Sequence, residues 1–190
     1  MRQLRPFHEA AITRFAANAS SWWRAEQVHG NAVALVPGSP QSLAPDGLPV
    51  VPGVDGLITA GHGVVLAIYV ADCGALWLAD RKSGAIGLLH SGKKGTESEI
   101  LDKALDQMAE NFGTRPQDVT AVLGPCIRPP DYEVDFAAEI GRQAVRAGVG
   151  NFIDCGLNTA SDSVRFYSYR KELGKTGRMM ALIVRDDSPP

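Results

Sequence analysis

The chain has 190 residues, 45% of them apolar and 21% charged, and a formal net charge of −2. That length and balance fit one globular domain, 1–190, able to bury a core without disulfides, and they exclude wholesale disorder. With no basic excess and no acidic tail, nothing global draws the chain to nucleic acid or to an anionic membrane, and neither is expected as a partner.

In chain order, Met1 to Ala11 carries Arg2, Arg5, His8 and Glu9 and has no signal-peptide apolar region. Phe7 to Glu26 reads as a helix, with Ala11, Ile12, Phe15, Ala16 and Ala19 at helical spacing. Ala32–Val36 reads as a strand, and Pro37 to Pro52, rich in proline, glycine and serine, as a loop. Val54–Thr59 is a short strand. Val64–Val70 carries the strongest β signal and is far shorter than the roughly 20 apolar residues of a bilayer span. Ala75–Asp80 and Ala85–His90 form an antiparallel pair around the turn Arg81-Lys82-Ser83-Gly84. Thr96 and Glu99 make a capping box for a helix whose apolar stripe is Ile100, Leu101, Ala104, Leu105, Met108 and Phe112. Val119–Leu123 is a strand. Asp135 caps a helix that runs to about Ala147 and stops at Gly148; Phe152–Asp154 and Met179–Val184 are the last strands. This mixture predicts an α+β (mixed α/β) fold whose sheet is not all parallel.

The hairpin carries a geometric inference. A loop of two or four residues pairs Asp80 with Ala85, sets Cys73 opposite Gly92 and makes it diagonal to His90 on the same face. Diagonal neighbours stand about 7–8 Å apart at Cα, from where a thiolate and an imidazole can converge on one metal. A catalytic zinc takes a third protein ligand, and spacing alone leaves His8, His29 and His62 open. The three cysteines, Cys73, Cys126 and Cys155, are widely spaced and odd in number, which points to a reducing, cytoplasmic compartment and against a disulfide framework. Arg170 and Arg178 are candidates for bidentate phosphate contacts. Lys93 and Lys94 precede a helix start, where anions are favoured. Trp22 and Trp23 read as core or interface residues.

Eight short motifs occur in a recognisable order. They are Gln27-Val28-His29-Gly30, Val54-Asp55-Gly56-Leu57-Ile58-Thr59, Ala71-Asp72-Cys73, His90-Ser91-Gly92 and Leu123-Gly124-Pro125-Cys126-Ile127, then Tyr132-Glu133-Val134, Phe166-Tyr167-Ser168-Tyr169-Arg170 and Thr176-Gly177-Arg178. Together they resemble the YfiH family, also called laccase-domain or multicopper polyphenol oxidase proteins and peptidoglycan editing factor. The resemblance implies His29, Cys73 and His90 as metal ligands, zinc as the metal with copper as an alternative, and a four-layer helix/sheet/sheet/helix sandwich. It also implies purine nucleoside phosphorolysis and adenosine deamination, with a nucleoside and phosphate as small-molecule partners. Asp72 is expected to orient a ligand or handle a proton, Lys93, Lys94, Arg170 and Arg178 to hold phosphate, and Cys126 to lie as a supporting thiol beside the metal.

The sequence departs from the family pattern where Lys93 replaces a tryptophan after His90, where Arg128-Pro129-Pro130-Asp131 replaces a glycine-proline stretch, and where Arg170-Lys171 replaces a double arginine. The family's N-terminal Arg-Gly-Gly segment is not found, so a weak activity is expected. Three readings stand at this point. One is a zinc enzyme of purine nucleoside phosphorylase and adenosine deaminase type. Another is a non-catalytic metal-binding or partner-binding protein that kept the site. The third is a Cys–His hydrolase with Cys73 as nucleophile and His90 as base. A single His2Cys site lacks the further coppers of a multicopper oxidase, which speaks against laccase chemistry.

Overall fold

The computed structural model describes residues 5–15, 21–39, 41–45 and 48–185. Its helices are α1 (Arg5–Phe15), α2 (Lys93–Glu97), α3 (Ile100–Phe112) and α4 (Phe136–Arg146). Its strands are β1 (Ser21–Arg24), β2 (Val33–Leu35), β3 (Ser42–Leu43), β4 (Pro49–Val50), β5 (Gly56–Thr59), β6 (Val64–Val70), β7 (Gly74–Asp80), β8 (Ile86–Ser91), β9 (Val119–Leu123), β10 (Asn151–Asp154) and β11 (Met179–Val184). A six-stranded sheet runs β10-β9-β7-β8-β5-β2 and a three-stranded sheet runs β1-β6-β11, with β3 and β4 a small separate pair. Both larger sheets mix parallel and antiparallel neighbours. The expected α+β class and non-parallel sheet are therefore found.

Period-two alternation sorts the side chains into two cores. On β7, Leu76 and Leu78 join the cluster formed with α3 and α4, through Leu101, Leu105, Met108, Phe136 and Ile140. Ala75, Trp77 and Ala79 point the other way, into a cluster with Leu66, Ile68 and Ala181 of the three-stranded sheet. The Trp77 indole crosses that layer and donates to the Leu182 carbonyl of β11 at 3.0 Å. On the outer side of the three-stranded sheet, His8 of α1 meets the Tyr69 ring at 5.1 Å. The order is helix, sheet, sheet, helix.

The β7–β8 pairing follows the expected register: Ala75 lies opposite His90 and Ala79 opposite Ile86, around the four-residue turn Arg81 to Gly84. Asp80 stabilises that turn by accepting from the Lys82 amide and the Ser83 hydroxyl. The α3 stripe is buried as predicted. Asp135 caps α4 by accepting from the Ala138 amide at 3.0 Å, and Gly148 follows in the left-handed region.

Three local expectations fail. The stretch Pro37 to Pro52, read as a loop, holds the paired two-residue strands β3 and β4. Of the helix read from Phe7 to Glu26, Phe7 to Phe15 lies within α1, but Ser21–Arg24 is a strand paired parallel to β6 from Ser21↔Val64 to Arg24↔Ala67. Two adjacent tryptophans favour a half-buried strand, and the non-local ladder overrides the helical spacing. Ala16 and Ala19 lie outside the described residues. The Thr96–Glu99 capping box does not form either. The Thr96 hydroxyl is paired with Ser91 at 2.9 Å inside α2, and Glu99 at φ 59° separates α2 from α3.

Leu88 is fully buried between the sheets, whereas Ile153 on the edge strand β10 is 46% exposed. Leu88→Ala should cost about 2–5 kcal/mol and Ile153→Ala under about 1 kcal/mol, read as urea midpoints. Equal shifts would contradict this assignment of the core.

Candidate metal centre

His90 occupies the next position on the face that carries Ile86 and Leu88, so the inter-sheet core ends on an imidazole. Cys73 immediately precedes β7 and shares the parity of Ala75. It faces Gly92, where a Cβ would stand 2.6 Å from the Cys73 Sγ; glycine leaves the thiol its space. The third residue, His29, comes from the loop between β1 and β2. Its donor atom and those of Cys73 and His90 all lie within 4.8 Å of one another. The His29 and His90 rings meet edge to face at 4.9 Å. Of the three histidines that spacing left open, His29 is the one brought to Cys73 and His90. His8 stands against Tyr69, and His62 sits on the turn before β6.

The His29 loop is held by two side chains that the sequence reading did not single out. Gln27 pairs with the backbone of Tyr69, its amide nitrogen donating to the carbonyl at 2.7 Å and its oxygen accepting from the amide at 2.8 Å. Asp55 accepts from the His29 and Gly30 amides at 2.9 and 2.7 Å, and lies 2.8 Å from His90 Nδ1. The available signal for Asp55 was a lone acid opening an otherwise apolar strand, Val54 to Ile58.

Burial alone would raise the Asp55 carboxyl, but the hydrogen bonds from His90, Gly30 and His29 outweigh it and hold the group below its usual value. Burial likewise pushes the Cys73 thiol up, and the bonds from His29 and His90 bring it down to about 7. For His90, burial favours the neutral ring, and Asp55 and Cys73 together raise it to about 9. Asp55 engages Nδ1, leaving His90 Nε2 for an ion. Two imidazoles and an acidified thiol are a donor set able to hold one metal ion through three protein ligands.

The triad opens into a cleft of about 1670 Å³ that Asp72, Lys93, Lys94, Arg170 and Arg178 also line. Asp72 is not in hydrogen-bond contact with the triad. Its oxygens accept from the Thr159 hydroxyl and the Arg170 amide, each at 2.7 Å, which fixes the segment bearing Arg170 against the cleft. The Arg170 guanidinium pairs with Glu133 and lies 5.0 Å from the centre of the Tyr132 ring. Arg178 lies 5.7 Å from the Tyr169 ring centre. Lys93 and Lys94 are exposed on the first turn of the five-residue α2. Cys126 departs from the expected place beside the metal. It is wholly buried in the core shared with α3 and α4, and burial pushes its thiol up to about 12. The strand β9 ends just before it, and packing of the turn against the helices sends the side chain inward. Trp22 and Trp23 are half-buried on β1.

This fold and this site place the chain in a family. It belongs to the multi-copper polyphenol oxidoreductase laccase family, whose model matches residues 7–145 and 134–186. Among its relatives, the purine nucleoside phosphorylase of Deinococcus radiodurans is 36% identical, over 92% of this chain and 73% of that protein. Purine nucleoside phosphorylase YlmD of Bacillus subtilis is 30% identical, over 89% of this chain and 72% of its own length. The crystal structure of YlmD from Geobacillus stearothermophilus superposes with a TM-score of 0.79 at 28% identity, covering 93% of this chain and 79% of that one. No helix among the described residues is long and apolar enough to cross a membrane.

The site makes a pH prediction. An ion needs the Cys73 thiolate and a neutral His90. Protons therefore compete with it, and affinity rises with pH. With His90 near 9 and Cys73 near 7, zinc affinity should climb about tenfold per pH unit between 7 and 9, and about a hundredfold per unit below 7, where two protons are displaced. Titrations in chelator-buffered zinc read this directly; a flat profile from pH 6 to 9 would refute the assignment.

Proposed function

We propose that this chain is a zinc-dependent purine nucleoside phosphorylase. The observation that carries the reading is one cleft that joins a His–Cys–His triad to a set of cationic side chains, Lys93, Lys94, Arg170 and Arg178 among them, and several tyrosines, in a chain whose relatives bear that name. His29, Cys73 and His90 would hold the ion, and when bound it supplies Lewis-acid charge at the end of the cleft. Zinc is preferred to copper because one thiolate and two imidazoles with an open position match its catalytic sites. Among the described residues, only one cluster of this kind is present.

Lys93, Lys94, Arg170 and Arg178 supply the charge to gather phosphate. Arg170 would exchange Glu133 for it, a small cost because both members of that pair are more than half exposed. Asp72 orients the Arg170 segment. Tyr132, Tyr167 and Tyr169 offer ring surface to a purine. A phosphate oxygen attacks the sugar C1′; the bond from C1′ to the base nitrogen breaks with its electron pair moving onto the purine, which takes up a proton. The products are the free base and the sugar 1-phosphate. Because Lys93 stands where the family pattern has tryptophan, the rate is expected to fall below that of the Deinococcus relative.

A second reading has one observation in its favour. Asp55, His90 and Cys73 form a chain of contacts ordered like the orienter, base and nucleophile of a cysteine hydrolase. A bound ion would occupy the thiolate, so metal content separates the two readings. Purified protein should hold about one zinc per chain, as a single three-ligand site does, and Cys73→Ser or His90→Ala should remove it.

With inosine or adenosine plus phosphate, the protein should release free base and sugar 1-phosphate. Both variants should lose at least about a hundredfold in kcat/KM, roughly 3 kcal/mol of transition-state binding. Inosine formed from adenosine without phosphate would report deamination, the other activity expected of the site. No base release with zinc bound would leave the non-catalytic reading standing, and full activity in both variants would end the zinc mechanism.

A further inference from the structure

We infer that Asp55 is the positioning residue that couples the two histidine ligands, fixing the ring orientation of His90 and the backbone of His29 through one buried carboxylate. Asp55 is wholly buried. Its Oδ1 lies 2.8 Å from His90 Nδ1 and accepts from the His29 amide at 2.9 Å, while Oδ2 accepts from the Gly30 amide at 2.7 Å. Asp55 also accepts the His90 amide through its own carbonyl at 2.8 Å. An ionised carboxylate has no proton to give, so the His90 ring donates from Nδ1 and presents Nε2 to the cleft. A carboxylate behind a ligand imidazole sets its tautomer and basicity in this way.

The same group reaches the other arm of the site. His29 has φ 63°, a left-handed conformation that an L residue with a Cβ adopts only under restraint. The two amide bonds from His29 and Gly30 supply that restraint. His90 sits on the central strand β8 and His29 on a loop, and Asp55, immediately before β5, which pairs with β8, ties the loop to the strand. Three N–H donors converge on two oxygens. An asparagine there has one oxygen, so either orientation of its amide sets an NH2 against at least one of those donors.

The experiment compares Asp55→Asn and Asp55→Ala with the parent protein by three readouts. In chelator competition, zinc affinity should fall about tenfold in Asp55→Asn and about a hundredfold in Asp55→Ala, the range typical of such supporting carboxylates. In the proton spectrum of the metal-free protein, the parent should show a downfield, exchange-protected ring N–H resonance that disappears in His90→Gln and in Asp55→Ala. Hydrogen exchange at the His29 and Gly30 amides should accelerate in both Asp55 variants, while amides of β7 and β8 stay protected. Far-ultraviolet circular dichroism checks folding; should the alanine variant unfold, the asparagine variant carries the test through zinc affinity and amide exchange.

Unchanged zinc affinity together with unchanged exchange at His29 and Gly30 would overturn the proposal. So would persistence of the His90 resonance in folded Asp55→Ala. The zinc readout rests on the metal-site reading, whereas the other two do not. A parent protein that binds no zinc but loses the resonance in Asp55→Ala would overturn the zinc reading and support the positioning role.

Discussion

The antiparallel pairing of β7 with β8 is the constraint on which the rest of the molecule depends. Its register sends Ala75, Trp77, Ile86 and Leu88 into the space between the sheets, and Leu76, Leu78 and Leu89 toward the helices. Because strand side chains alternate strictly, a slip of one residue would invert both sets at once. It would turn His90 away from Cys73. The energy that fixes the register is hydrophobic, and the geometry of the His–Cys–His triad inherits its precision from that energy. The apolar core thus does positional work for a site that contributes little to it.

Where the core ends, the chemistry changes within a single strand. Leu88 is dry and fully buried, and two residues on His90 is buried against a carboxylate. A buried charge survives only when hydrogen-bonded. Asp55 receives three donors, all of them from segments that carry or adjoin a histidine of the triad. The polar groups that solvate Asp55 are therefore the same ones that need to be held. Burial cost and positioning are met by one set of contacts.

Backbone strain gathers at the same place. Gln27, His29 and Asp72 all have positive φ without being glycine, a conformation costing of order 1–3 kcal/mol each. Each is restrained from its own side: Gln27 by the Tyr69 backbone, His29 by Asp55, and Asp72 by Thr159 and the Arg170 amide. The restraints link the loops after β1, before β7 and before β11 into one rim around the cleft. Cations and tyrosines on that rim are mostly exposed and paired weakly, as with Arg170 and Glu133. A rigid donor set with an exchangeable cationic wall suits a ligand that brings its own negative charge.

The sequence by itself determined the elements whose signals are local. Val64–Val70, Val119–Leu123 and Met179–Val184 have the predicted bounds, because continuous β-branched and aliphatic runs admit little else. The hairpin between β7 and β8 was legible, and the four-residue length of its turn gives the expected shared face of Cys73 and His90. The motifs, through their resemblance to a family, brought His29 to the same place. What only the tertiary structure decided were the non-local matters. Ser21–Arg24 became a strand because β6 offered it a ladder. Thr96 gave up its capping role to bond Ser91. Cys126 turned into the helix-side core and away from the cleft. Asp55 acquired its role because three donors, distant in the chain, met around one carboxylate. Spacing along a chain cannot encode such a meeting, since it arises only when separate strands and loops have packed.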